Sequence, residues 1–183
     1  MTSQRIDHLL TAEQAFWLDP CERWELVGGR IVELSPVKRR HGRILARLAR
    51  SMVETVEEQG LGEVYVGDVG FVLRRNPDTV RAPDLAFVRK ARLPSEPEEA
   101  FSDTVPDLVV EILSPSDRWH DVEHKVAEFL AAGVVVVWIL DPQKNRAHVY
   151  RAGLPARVLT ESDSIEAPDL VPSLRLRIGE LLA

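Results

Sequence analysis

Two nearly continuous apolar runs, at 106–113 (PDLVVEIL) and 134–140 (VVVVWIL), constrain the fold of this chain most strongly. Apolar runs of this length predict strands that are covered on both faces. The intervening segment has apolar residues at helical spacing and stops at Gly133, so it predicts a helix with Ser116 or Asp117 as its N-cap. A strand, a helix and a strand in close succession predict a βαβ unit whose two strands run parallel.

The rest of the sequence predicts further strands and three more helices. Segment 11–18 predicts a short helix capped by Thr11, and 24–35 predicts a β-hairpin that turns at Gly28 and Gly29. Apolar residues at helical spacing from Lys38 to Gln59 predict a long helix that Gly60 ends. The other predicted elements are strands at 63–73 and 81–88, a turn at 74–79, a surface loop at 89–103, edge strands at 146–151 and near Arg157 and Leu174, and a closing short helix at 179–182.

Length and composition indicate one domain over residues 1–183, because 183 residues with 45% hydrophobic content suffice for one core. No apolar run approaches the roughly 20 residues of a membrane helix, and the opening residues lack the pattern of a secretory signal. We therefore expect a cytoplasmic protein. The single cysteine, Cys21, excludes an internal disulfide and a cysteine-based zinc cluster, and we interpret it as structural or incidental.

The net charge of −6 argues against a protein that coats nucleic acid by charge alone. Charge is nevertheless unevenly distributed, because residues 38–50 include six cationic side chains and no acidic one. These are Lys38, Arg39, Arg40, Arg43, Arg47 and Arg50. The basic run is either a solvated helix face or a surface that contacts phosphates.

Glu111 is the most informative single residue, because it places a carboxylate in the middle of a strand expected to be covered on both faces. An unpaired carboxylate there would cost several kcal/mol or take up a proton. It therefore needs either an arginine partner or a role as cation ligand or catalytic acid or base. Asp84 follows Pro83 at the start of a short predicted strand and points away from Leu85, so it too can face a cleft.

Lys125 lies on the helix that follows Glu111, about 60° from the centre of the apolar stripe. Its ammonium group can reach back toward the end of the preceding strand. The alternative is a lysine whose stem covers the core while its head stays in water. Ser114 is expected to shape the strand-to-helix turn, since no Gly-x-Ser-x-Gly elbow surrounds it.

The order of several segments resembles the Uma-type family of restriction-endonuclease-like proteins in the PD-(D/E)XK nuclease superfamily. The segments are WELVGGRIVELSP, GDVGFVL, RAPDLAFV, PDLVVEILSPSDRWHDVEHKVAEFLAAGV and VVWILDP, and the resemblance extends from about Arg23 to Leu182. It implies an α/β fold with a restriction-endonuclease-like mixed β-sheet flanked by helices, an N-terminal β-hairpin and a central βαβ unit.

The resemblance also implies roles for individual residues. Asp84 corresponds to the PD aspartate and Glu111 to the acidic member of (D/E)XK. The lysine expected two residues later is replaced by Leu113, which leaves Lys125 as the candidate. Glu25 matches a recurrent family position and supplies a further acidic group.

Additional candidates lie at the basic helix and in the N-terminal part of the chain. His41 also matches a family position and is expected to be either a polar contact at the helix terminus or a ligand. The candidate nucleic-acid contacts are His41, Arg39, Arg40, Arg43 and Arg47. Gln14 and Asp68 are further site candidates.

Two carboxylates, Asp84 and Glu111, with the main-chain carbonyl of Ile112 would form a hard oxygen site suited to Mg²⁺ or Mn²⁺. Lys125 would orient a water or stabilise charge at phosphorus. These residues predict a Mg²⁺-dependent endonuclease that hydrolyses DNA phosphodiester bonds. Cutting both strands needs two sites, so a homodimer is expected, with the apolar segment 134–138 as a candidate edge.

Two alternatives remain open at this point. The acidic net charge and the replaced lysine favour a non-catalytic binding or regulatory module on the same fold. A metal-dependent hydrolase of another phosphate ester is the second alternative. No base-reading element such as a helix-turn-helix is attached, so any sequence preference would come from loops such as 89–103.

Overall fold

The computed structural model describes residues 9–18, 23–96 and 100–183, so Cys21 and the opening residues 1–8 lie outside the described part. Within these ranges the helices are α1 (Ala12–Phe16), α2 (Arg39–Glu58), α3 (Trp119–Ala132) and α4 (Ile178–Leu182), with a 3₁₀ turn at Lys90–Arg92. The strands are β1 (Trp24–Val27), β2 (Arg30–Glu33), β3 (Gly62–Val66), β4 (Phe71–Arg74), β5 (Thr79–Arg81), β6 (Leu85–Arg89), β7 (Leu108–Ile112), β8 (Val136–Asp141), β9 (Arg146–Tyr150), β10 (Arg157–Leu159), β11 (Ser164–Ala167) and β12 (Val171–Arg177).

A six-stranded mixed sheet in the order β10-β9-β8-β7-β6-β3 forms the centre of the molecule. Strands β7 and β8 run parallel, and every other neighbouring pair in this sheet is antiparallel. The helix α3 connects β7 to β8, which confirms the predicted βαβ unit. The mixed sheet flanked by helices is the fold class that the sequence predicted.

The alternation of side chains along β7 decides which residues face which helix. Leu108, Val110 and Ile112 join the core beneath α2 and the C-terminal elements. Val109 lies in the other core, which α3 covers. Because residues two apart share a face, Glu111 lies on the α3 side of the sheet.

A smaller sheet, in the order β2-β1-β5-β4, lies at the N-terminal side of the fold. The predicted hairpin is confirmed, since β1 and β2 pair around Gly28 and Gly29, whose φ angles are 57° and 76°. A Cβ atom at Gly29 would lie 2.7 Å from that of Leu9, so this position also needs glycine for space. Strands β1 and β5 are neighbours, and this places Glu25 beside Arg81.

The helix predictions are confirmed, with one error in a boundary. Thr11 caps α1 in a capping box with Gln14, and Gly60 follows α2 with a φ of 59°. The predicted N-cap of α3, Ser116 or Asp117, is wrong, because α3 begins at Trp119 after Arg118. Asp117 instead accepts a hydrogen bond from the main-chain N–H of Ser114 at 2.7 Å and so stabilises the preceding turn.

Two predicted strands are in fact divided. Segment 63–73 forms β3 and β4, which belong to different sheets and are separated by a bend at Gly67, where φ is 91°. Segment 81–88 contains the end of β5 and most of β6, with Pro83 between them. In both places a two-residue interruption, Gly67-Asp68 or Pro83-Asp84, marks the change of sheet, and apolar residues resume directly after it.

The predicted edge positions also need correction. Strand β9 is an interior strand, because β10 pairs with it and forms the edge. Segment 134–138 is no edge either, since β8 lies between β7 and β9 and Trp138 is fully buried. It cannot serve as a surface for a second copy. Among the described residues, no helix is both long and apolar enough to cross a bilayer.

Candidate active site

A cavity of about 600 Å³ opens where β6 begins and β7 ends. These two strands are antiparallel and pair Leu85 with Val110, so the residue just before β6 lies beside the last residues of β7. Asp84 and Glu111 both line this cavity, although they are 27 positions apart in the sequence. The cavity is therefore the place where the candidate acids meet.

Asp84 is buried and held by two neighbouring elements. Its Oδ2 accepts a hydrogen bond from the main-chain N–H of Ile112 at 2.7 Å and lies 3.0 Å from His41 Nε2. Within the described part of the chain, the buried His41 Nδ1 has no hydrogen-bond partner. A proton on Nε2 is thus the favoured tautomer, and it donates to the Asp84 carboxylate.

His41 consequently belongs to the cavity wall and is set apart from the exposed arginines near it. It is 7% exposed, whereas Arg39 and Arg40 are exposed residues on the first turn of the same helix. Its contact with Asp84 is the polar contact expected at the helix terminus, and its role as a ligand stays a prediction.

Glu111 and Lys125 form an ion-pair contact, with Lys125 Nζ 2.7 Å from Glu111 Oε1. The pKa of Glu111 is raised to about 8, chiefly by burial and also by the charges of Asp84 and Glu25, while Lys125 opposes the rise. Burial alone lowers the pKa of Lys125, but the neighbouring carboxylates outweigh burial and raise it above its ordinary value. Near neutral pH the lysine is therefore charged and Glu111 binds a proton readily.

Glu25 is the counter-ion that keeps Lys125 in place. Its Oε1 lies 2.9 Å from Lys125 Nζ and accepts a hydrogen bond from the main-chain N–H of Ala82 at 3.0 Å. Its Oε2 lies 2.6 Å from a guanidinium nitrogen of Arg81. Burial raises the pKa of Glu25, but the cations Lys125 and Arg81 outweigh burial and lower it overall.

Sequence reasoning missed Arg81 and Glu128, which complete this network. Arg81 is 8% exposed and donates from Nε to Glu128 Oε2 at 2.8 Å while it also pairs with Glu25. The available signal was an arginine just ahead of the Pro83-Asp84 dipeptide, in a segment that predicted a short strand.

The donors at the cavity suit a hard divalent cation. Asp84 and Glu111 supply carboxylates, and Ile112 lines the same cavity. The negative charge of Asp84 contributes to the raised pKa of Glu111, and a cation between them would relieve that repulsion. Across residues 9–18, 23–96 and 100–183, no three His, Cys, Asp or Glu side chains converge as a metal-holding group. Two carboxylates are compatible with Mg²⁺, which usually retains several waters.

The basic run on α2 divides into two groups. Arg40, Arg43 and Arg47 donate to main-chain oxygens in the C-terminal segment: Arg40 to Leu182 O at 3.0 Å, Arg43 to Ala183 O at 3.0 Å, and Arg47 to both Glu180 O at 3.3 Å and Ala183 O. These three arginines thus hold the C-terminal helix, and Arg39 lies exposed on the first turn of α2. All four arginines are exposed, and their contact with nucleic acid stays a prediction.

The remaining candidates serve local structure. Gln14 completes the capping box of α1, and Asp68 pairs with Arg23 at 2.8 Å. Ser114 lines the cavity, and its hydroxyl lies 2.9 Å from that of Ser116 within the turn before α3.

Comparison with known proteins places the chain in a family. No curated protein matches the sequence. The chain is similar to a crystal structure described as "a putative nuclease belonging to DUF820" from Anabaena variabilis, with a TM-score of 0.81, 23% sequence identity, and coverage of 94% of this chain and 97% of that one. At this identity the similarity shows a shared fold. The model of the Uma2 family, described as "Putative restriction endonuclease", matches residues 10–179. The chain therefore belongs to the Uma2 family.

Proposed function

We propose that this protein is a Mg²⁺- or Mn²⁺-dependent endonuclease that hydrolyses DNA phosphodiester bonds. The observation that carries the proposal is the convergence of Asp84, Glu111 and Lys125 on one cavity, with Lys125 Nζ 2.7 Å from Glu111. The family and the similar crystal structure are both described as nucleases. The chemistry of the site and these descriptions both support a nuclease.

Each residue has a distinct task in this proposal. Asp84, Glu111 and the main-chain oxygen of Ile112 would hold the ion. When bound, a divalent ion polarises a phosphoryl oxygen and makes a water a stronger nucleophile. Lys125 would stabilise the negative charge that develops on the phosphoryl group in the transition state. Glu25 would keep the Lys125 ammonium in position.

His41 has a positioning task, because it binds the Asp84 carboxylate from α2 at 3.0 Å. The main-chain N–H of Ile112 binds the same oxygen at 2.7 Å. Two donors on one oxygen fix the orientation of the carboxylate, and preorganised ligands bind a cation with less loss of side-chain entropy.

Exposed cations near the cavity are the candidate contacts for the DNA backbone. Lys38 and Arg39 lie at the first turn of α2, and Arg118 lines the cavity just before α3. Each phosphate that a cation neutralises releases counter-ions and strengthens binding. A homodimer remains part of the proposal, because cleavage of two strands requires two such sites.

Nicking of supercoiled plasmid DNA tests the proposal. We expect Mg²⁺-dependent nicking by the wild type, its loss in Asp84→Asn and in Glu111→Gln, and no loss in the control Glu166→Gln, which alters an exposed acid on β11. Thermal unfolding of each variant verifies that it is folded. Nicking at the wild-type rate by both folded site variants would refute the assignment.

The network around Lys125 favours one competing function, a non-catalytic binding module. Lys125 lies within 2.9 Å of both Glu25 and Glu111, so these acids have a counter-ion without any metal. Calorimetric titration with Mn²⁺ separates the two functions, because binding that Glu111→Gln abolishes requires the metal site. Hydrolysis assays of one protein preparation with duplex DNA, single strands, RNA and small phosphate esters identify the substrate class.

A further inference from the structure

An aromatic cluster of Trp119, His148 and Tyr150 lies beside the candidate active site. The rings of Trp119 and His148 have centroids 4.6 Å apart at an interplanar angle of 54°. The rings of His148 and Tyr150 are nearly parallel, at 19°, with centroids 6.4 Å apart. All three residues are only partly buried, unlike the fully buried core residue Trp138.

The strand register relates this cluster to Glu111. Glu111 pairs with Ile139 on β8, and Ile139 pairs with His148 on β9. Directly paired residues face the same side of a sheet, so Glu111 and His148 both face α3. Two strand spacings separate them, which is about 10 Å. Arg118, next to Trp119 in the chain, lines the cavity itself.

The charges around the cluster suit a phosphate. Lys144 Nζ lies 6.0 Å from the centre of the Trp119 ring, and the Lys144 side chain is 64% exposed. The acidic neighbours are Asp141, with 3.5 Å between Lys144 Nζ and Asp141 Oδ2, and Glu123, whose Oε1 accepts a hydrogen bond from Trp119 Nε1 at 2.9 Å. Arg118 and Arg146 are exposed as well. Exposed cations beside half-buried rings are the combination that holds a single nucleic-acid strand, the rings taking bases and the cations taking phosphates.

His148 contributes a ring and no charge. Burial lowers its pKa, and the nearby cations Lys144 and Arg146 lower it further, although Asp141 raises it. A neutral imidazole stacks without adding to the electrostatic field. The attraction for phosphate therefore comes from the exposed lysine and arginines.

We propose that the aromatic cluster is a subsite for the base of an unpaired nucleotide near the scissile phosphate, with Lys144 binding the backbone. This inference rests on the proposed function, since it assumes that the neighbouring cavity holds a phosphodiester. One strand of duplex DNA advances about 3.4 Å per nucleotide and an unstacked strand advances further, so about 10 Å brings a nearby nucleotide within reach of the rings. Base stacking on aromatic rings tolerates any base identity, and pairing must be broken first. The expected substrate is thus DNA with unpaired bases next to the cleavage point.

Binding measurements without divalent cations test the subsite separately from cleavage. The probes are a fluorescein-labelled oligodeoxythymidylate and a strand of the same length made of abasic nucleotides, followed by fluorescence anisotropy in EDTA. We expect Trp119→Leu to weaken binding of the base-bearing strand about 5- to 150-fold and to leave the abasic strand unaffected. Lys144→Ala should weaken binding of both strands. The salt dependence of its binding constant should fall by the amount that about one phosphate contact contributes.

The matched control is Trp17→Leu, which removes an 82% exposed tryptophan at the end of α1. Trp119→Phe keeps an aromatic side chain and serves as the variant that preserves packing. Oligodeoxythymidylate should quench tryptophan emission in the wild type and in Trp17→Leu, and should not quench it in Trp119→Phe.

Three results with the variants would overturn the subsite. The first is equal affinity of Trp119→Leu and Trp17→Leu for the base-bearing strand. The second is an equal loss for both strands in Trp119→Leu, and the third is unchanged quenching in Trp119→Phe. A wild type that binds neither strand would also overturn it. Nicking activity is a separate readout, so a wild type that binds strands through Trp119 but never nicks DNA would refute the endonuclease and leave the subsite standing.

Discussion

Replacing Glu111 by glutamine should stabilise the metal-free protein at neutral and alkaline pH. Burial raises the pKa of Glu111 from its ordinary 4.5 to about 8. Between these values the native state retains a proton that the unfolded state has released. Since the native state then binds more protons, the free energy of unfolding falls as the pH rises through this window.

The magnitude follows from the size of the shift. Each pKa unit corresponds to about 1.36 kcal/mol. Relative to low pH, the free energy of unfolding of the wild type is therefore lower by about 3 kcal/mol at pH 7 and by about 5 kcal/mol above pH 8. The glutamine side chain of the variant would not titrate, and Lys125 would keep Glu25 as its counter-ion at 2.9 Å. The variant should match the wild type below pH 4.5 and exceed its stability by up to about 5 kcal/mol at pH 9.

Urea unfolding in EDTA at several pH values measures this difference, and Glu166→Gln on β11 controls for the removal of an exposed charge. Mn²⁺ should reduce the difference in unfolding free energy between the wild type and Glu111→Gln, because a ligand that binds the native wild type stabilises it by mass action. A wild type that is as stable as Glu111→Gln across the whole pH range would refute the reasoning.

Three further substitutions give separate tests. Lys125→Met should lower the single-turnover nicking rate about 10²- to 10³-fold. Its Mn²⁺ affinity should be unchanged or stronger, because the Lys125 ammonium competes with a cation for the Glu111 carboxylate. Weaker Mn²⁺ binding by this variant would contradict the proposed role of Lys125. Arg81→Ala should destabilise the protein by about 1.5–3 kcal/mol in urea unfolding, because the buried Glu25 keeps Lys125 but loses its arginine and Glu128 loses the same partner. The exposed control Arg175→Ala should have little effect. Arg39→Ala should reduce the salt dependence of DNA binding by the amount that about one phosphate contact contributes. Arg43→Ala should chiefly lower the stability of the C-terminal helix. Equal effects of the two variants on DNA binding would contradict this division of the basic run.

Much of the fold was predictable because its signals are local. Continuous apolar runs identified β7 and β8, and helical spacing identified α2 and α3. The errors occurred where tertiary contacts decided the outcome. The chain passes from one sheet to another at Gly67, although apolar residues lie on both sides of the short Gly67-Asp68 interruption, and Asp117 bonds the turn at Ser114 in preference to capping the helix.

The site was predictable in part, for a similar reason. Glu111 was recognisable because a carboxylate in an apolar strand requires an explanation, and the position of Lys125 followed from helical geometry. Arg81 was missed because its partners come from β1 and α3, far apart in the sequence. The contacts of Arg43 were also unpredictable, because they are made to main-chain oxygens, which every residue type possesses.

The central claim is that Asp84 and Glu111 together hold a divalent cation, and a crystal soaked in Mn²⁺ tests it most directly. An anomalous difference map should contain a peak about 2.2 Å from an oxygen of each carboxylate, with Lys125 displaced from its contact with Glu111. The claim would be contradicted by a map with no peak in this cavity, with Lys125 still paired to Glu25 and Glu111.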